Sequence, residues 1–153
     1  MKKIIYSAIA FLICTAVFAY QSDNNHRFEK TQIIVRNNAP YAVILSIDDA
    51  EGTWETPVLV KRHMLLPNQS YQNTLISVQK NNALENYVSL SVTEAKNPHE
   101  NYLIFGEETN ARRNKISSDI FDGLGPLFMH SQLNECKQTT SEGYADCELN
   151  IQS

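Results

Sequence analysis

From residue 31 onward the apolar residues come in short runs separated by Asn, Asp, Gly and Pro. TQIIVR (31–36) meets the break NNAP, and YAVILSI (41–47) follows. DDAEGTWET reads as a turn region before PVLVKRHMLL (57–66). PNQ then leads to SYQNTLISVQ (70–79), KNNA to LENYVSLSVTE (84–94), and KNPHE to NYLIF (101–105). Branched and aromatic residues within the runs, with turn formers between them, are what short strands require. In YVSLSVT, Val88, Leu90 and Val92 fall on one face of a strand and Ser89, Ser91 and Thr93 on the other. That alternation marks an antiparallel strand with one wet face. YAVILSI is apolar on both faces and belongs in the middle of a sheet. No long stretch carries the 3.6-residue period of an amphipathic helix. The pattern predicts an all-β fold: a small antiparallel β-sandwich, immunoglobulin-like, of seven or eight strands.

Residues 107–130 break the rhythm. EETNARRNK is polar throughout, and SSDIFDGLGPLFMH mixes apolar residues with a Gly-Leu-Gly-Pro stretch that should interrupt a helix. The segment reads as a long connection across one end of the sheets, a kind of segment that often carries function.

The C-terminal end has a clear design. Around a loop Thr140–Gly143, Thr139 falls opposite Tyr144, Gln138 opposite Ala145, Lys137 opposite Asp146, and Cys136 opposite Cys147. Gly143 can supply the positive φ that closes such a loop. Cys147, Leu149 and Ile151 then alternate with Glu148, Asn150 and Gln152, as one buried strand face demands. A disulfide between Cys136 and Cys147 would staple this last hairpin. Ten residues separate the two cysteines, so they do not form a C-x-x-C redox motif.

The N-terminal end supplies the matching compartment. Lys2 and Lys3 precede an apolar run, Ile4–Phe18, with Ala19 after it. This is the order of a secretory signal peptide, residues 1–19, cut before Tyr20. The run is shorter than the roughly 20 residues of a membrane-spanning helix, so no span is expected after removal of the signal. Cys14 follows Ile13 where lipid attachment would want a small residue, and it leaves with the signal. Residues 20–30 form a polar leader and 31–153 one domain. The remaining cysteine pair suits an oxidising compartment, secreted or periplasmic, and the signal has a bacterial look.

Charge narrows the partners. Without Lys2 and Lys3, 11 basic side chains face 17 acidic ones, a net charge of −6. With no basic tail, nucleic acid is an unsuitable partner, and so is an anionic membrane surface.

Specific chemistry is sparse. His26, His63, His99 and His130 lie in no zinc spacing. His63-Met64 and Met129-His130 raise copper, but neighbours on a strand point to opposite faces; the simpler reading is a core methionine beside a surface histidine. Asp48, Asp49 and Glu51, and likewise Asp119 and Asp122, could form oxygen-rich calcium loops, though neither has EF-hand spacing. No G-x-S-x-G motif is present. Asn68-Gln69-Ser70 reads as a turn. Trp54, the single tryptophan, is a candidate contact for a sugar or a protein partner, or a cap on the core. The sequence therefore assigns no catalytic, cofactor-binding or metal residue. It suggests an exported protein that binds a protein or glycan without catalysis. Two alternatives stand beside it: a hydrolase with dispersed residues in 107–130, and a calcium- or copper-binding protein.

Overall fold

The computed structural model describes residues 29–58, 61–110, 115–139 and 144–153. The expected signal peptide, most of the leader, and the loop holding Gly143 lie outside them. Eleven strands are present among the described residues: β1 (Lys30–Asn37), β2 (Val43–Glu51), β3 (Thr53–Trp54), β4 (Arg62–Leu65), β5 (Ser70–Ile76), β6 (Val78–Lys80), β7 (Ala83–Glu94), β8 (Tyr102–Asn110), β9 (Lys115–Leu124), β10 (Gln132–Thr139) and β11 (Tyr144–Ile151). One sheet runs β10-β11-β1-β5-β3. The other runs β4-β2-β7-β8-β9, with β6 also paired to β7. The two sheets pack face to face as the expected small β-sandwich. The count exceeds seven or eight because β3 and β6 are two- and three-residue pieces and because β9 replaces a connection.

Alternation does most of the work. On β7, Val88, Leu90 and Val92 are buried, and on β11 Cys147, Leu149 and Ile151 are. They meet Ile33 and Val35 of β1, Val43 and Leu45 of β2, and Leu103 and Phe105 of β8 in one core. β2 lies between β4 and β7, the central place its two apolar faces called for. Nearly every pairing is antiparallel. Among the described residues the exception joins β1 to β11 in parallel, Ile33 beside Cys147 and Val35 beside Leu149, so β1 and β11 hold each other.

Three segments depart from the reading of the sequence. SYQNTLISVQ is not one strand: it divides at Ser77, β5 staying in the first sheet and β6 crossing to the second. KNNA becomes a two-residue hairpin turn in which Asn81 and Asn82 both have positive φ, 50° and 64°, as a type I′ turn needs. The described residues of 107–130 are not a loose connection. They extend β8, return as β9, and end in the six-residue helix α1 (Gly125–His130). Pro126 begins this helix instead of breaking it, because at the first turn its missing N–H has no partner to lose. Leu127 enters the core, and its N–H donates to Asn101 Oδ1 at 2.8 Å.

At the C-terminal end Lys137 pairs with Asp146, Gln138 with Ala145 and Thr139 with Tyr144, as the spacing predicted. The Cys136–Cys147 disulfide closes the hairpin. Between Asn134 and Lys137 the register shifts, so Glu135 and Cys136 together oppose Cys147 in a bulge that sequence spacing could not disclose.

Candidate functional site: the open mouth of the sandwich

The strand order leaves β4 at one edge of its sheet, with β5 covered by β3 over only part of its length. Thr53 pairs with Ile76 and Trp54 with Leu75, and Glu55 N–H donates to Thr74 C=O at 2.9 Å. One residue on, the Asn73 side chain takes over. Its Nδ2 donates to Thr56 C=O at 3.0 Å and its Oδ1 accepts Thr56 N–H at 3.3 Å and Thr74 N–H at 2.8 Å. Pro57, the residue after Thr56, has no N–H to offer a ladder. Among the described residues the pairing on this side of β5 goes no further than Thr56. By the alternation of an antiparallel ladder, the backbone groups of Ser70 and Gln72 share the direction of Thr74 and point away from β1, toward the uncovered edge.

Beside that edge lies a groove of about 560 Å³, within the range of ligand sites. Its floor is built from both sheets. His63 of β4 and Tyr71 of β5 meet with ring centroids 4.8 Å apart and planes tilted by 42°. His63 Nε2 is buried with no hydrogen-bond partner. Burial pushes the Tyr71 phenol above its ordinary value, offset in part by the Asn73 amide, which donates to its oxygen at 3.4 Å. Arg62 and Met64 are exposed on the rim, and Thr56–Val58 form the opposite lip. Arg62 is the one formal charge lining the groove and has no ion pair among the described residues. The turn from β4 to β5 bounds one end. Asn68 takes φ 65° there, and Gln69 N–H donates to Leu66 C=O at 3.0 Å, in keeping with the reading of Asn68-Gln69-Ser70 as a turn.

A second groove, about 620 Å³, crosses the outer face of β2 and β7, where Asp48 accepts the Ser91 hydroxyl at 3.0 Å near Lys61, Arg62 and His99. Lys61, Arg62 and His99 are all exposed, and Arg62 is shared with the first groove.

The residues singled out by sequence are dispersed. Trp54 is half-buried, packs against the core from β3, and lines neither groove. Met64 and Met129 are exposed, while His63 is the partly buried member of its pair, the reverse of the core-methionine reading. Asp48, Asp49 and Glu51 lie at the end of β2, not in a loop. Asp49 accepts the Ala50 N–H, and Glu51 pairs with Lys80 at 2.9 Å. Asp119 and Asp122 are exposed on β9, and Asp122 accepts the Gly123 N–H. No group of three His, Cys, Asp or Glu side chains that could hold a metal occurs among the described residues. No described helix is long and apolar enough to cross a membrane.

What sequence reasoning missed is the work of the asparagines. Asn37, Asn73, Asn86 and Asn101 are buried and clamp junctions between segments through their side-chain amides. Asn73, sixteen residues beyond Pro57, decides where the edge of β5 opens, and no local motif announces it. Compared with known proteins, the chain matches no family model and no curated protein.

Proposed function

We propose that this is an exported binding protein that acts without catalysis, engaging a protein or glycan at the mouth between β4 and β5. Export rests on the signal-like N-terminus, with cleavage before Tyr20 and residence in the periplasm or outside the cell. The Cys136–Cys147 disulfide suits the oxidising compartment this requires. The observation that carries the binding reading is the part of β5 left uncovered among the described residues, beside the His63–Tyr71 floor. Exposed strand edges are templates for association, and proteins that keep them normally cover them or put them to use.

The test uses the oxidised protein on arrays of peptides and glycans, with wild type compared against the double variant Arg62→Glu/His63→Ala. A wild-type signal that the variant loses, while its melting temperature stays within a few degrees, supports the reading. A wild type that binds nothing, or a variant that binds as well, sinks it.

A further inference from the structure

The chain itself displays what the edge of β5 accepts. Thr53 to Glu55 lie on it as an extended segment, antiparallel and hydrogen-bonded, and Asn73 continues the pattern to Thr56 with a side chain in place of a backbone. The stretch Ser70–Gln72, uncovered on this side among the described residues, is the same template, and Pro57, which follows Thr56, cannot donate to it. Three residues at about 3.3 Å each give roughly 10 Å of free edge. That length offers the donors and acceptors of Ser70 and Gln72 at peptide spacing.

The groove beside it has a defined polarity. No carboxylate lines it, Arg62 stands on its rim with no ion pair among the described residues, and His63 Nε2 lacks a partner at its floor. Strand side chains alternate, so a segment lying on the edge would turn every second side chain toward the groove. An acidic or hydroxyl-bearing side chain there would meet the guanidinium and could supply the hydrogen bond the imidazole lacks.

We infer that the mouth takes an extended peptide segment with an acidic side chain, added as a short strand along Ser70–Gln72 in line with β3. This rests on the binding reading above and narrows its ligand from protein or glycan to the backbone of a peptide. Sugars fit less well, because the periodic backbone groups of a strand edge match another strand.

Linear peptides displayed on phage, selected against the oxidised protein, provide the probe. The tightest is synthesised with each backbone nitrogen methylated in turn. Strand addition predicts period two: methylation weakens binding about tenfold at alternate positions and is tolerated between them. Selected peptides should carry Asp or Glu, and Arg62→Glu should reverse that preference toward Lys. If every N-methyl variant binds equally while Arg62→Glu still abolishes binding, strand addition is wrong and the binding reading survives. If no peptide is enriched, the inference falls; a glycan held at the mouth would then keep the function reading alone. Peptides insensitive to both changes would remove the two together.

Discussion

Asn73 and Thr56 are joined twice through one side chain: Nδ2 to the Thr56 carbonyl at 3.0 Å and the Thr56 N–H to Oδ1 at 3.3 Å. A primary amide has a donor and an acceptor as a peptide unit does, so Asn73 ends the pairing of β3 with β5 as another strand residue would. The mouth of the sandwich starts where this imitation stops.

Asn73→Ala should therefore free the lip of the groove. The change leaves the N–H of Thr74 and two backbone groups of Thr56 without the partner they share, at a cost of about 1–3 kcal/mol. Hydrogen exchange at the Thr56 amide should accelerate, while the amide of Val35, in the ladder between β1 and β5, stays protected near the global limit. Unchanged protection at Thr56 would mean that Asn73 does not hold the segment.

The Cys136–Cys147 bridge closes a hairpin of sequence separation 11 at the end of the strand that pairs in parallel with β1. Replacing both cysteines by serine should cost about 3 kcal/mol, the loop-closure value for so short a span. Wild type in reductant should fall by a similar amount in urea titration. A loss below about 1 kcal/mol in both would show that the hairpin holds without its staple.

Gly125 precedes Pro126 with φ 77°, and a Cβ on it would sit 2.6 Å from the Glu100 carbonyl oxygen and 3.0 Å from Asn101 Oδ1. Asn101 is the hub here. It receives the Leu127 N–H and donates to Glu94 at 2.9 Å and to the Tyr41 hydroxyl at 2.9 Å. Gly125→Ala combines left-handed strain with a backbone clash, so a loss of about 2 kcal/mol or more is expected in thermal or denaturant unfolding. Loss of that size with Leu127 displaced from the core would confirm that α1 is seated through this glycine.

The two sheets were legible in the sequence because period-two alternation is a local signal, and Val88–Val92 or Cys147–Ile151 show it without context. β9 was hidden. KISSDIFDGL has polar residues on both faces near an edge, and a bulge at Ile104/Phe105 sets Phe121 outward over Gly106, so no clean alternation survives. The helix was hidden because Gly-Leu-Gly-Pro is equally a breaker and a beginning. The mouth was hidden for a different reason: it depends on the Asn73 side chain meeting Thr56, 17 residues away, a contact set by the pairing of β3 with β5 and not by any local pattern. His63 could be noticed as a histidine, but its stacking on Tyr71 belongs to the facing sheet.

Glu107 carries the clearest pH dependence. It points inward from β8, is 1% exposed, and neither carboxyl oxygen has a hydrogen-bond partner. The interior around it includes Thr31, whose hydroxyl is held by Asn86, and Thr109, whose hydroxyl is also unpartnered. Burial pushes the carboxyl up to about 8, and the neighbouring Glu108 charge adds to the rise. The folded protein thus holds this proton until about pH 8, whereas the unfolded chain releases it near the ordinary 4.5. Between those values the folded state binds more protons than the unfolded one, so stability falls as pH rises. It is complete below the unfolded value and levels off above pH 8. At about 1.4 kcal/mol for each pH unit, the whole window is worth as much as about 5 kcal/mol, a large share of the stability of a small domain. The exposed Lys30–Glu55 pair works in the opposite sense. Its lysine holds the Glu55 carboxyl below the usual range, so its contribution is lost only in acid, below pH 4.5. Urea unfolding of wild type from pH 5 to 9 should show the decline, and Glu107→Gln, neutral at every pH, should flatten it and leave the variant the more stable protein above pH 8. If Glu107→Gln keeps the wild-type slope, another group sets the pH response and Glu107 finds its charge compensated in the core.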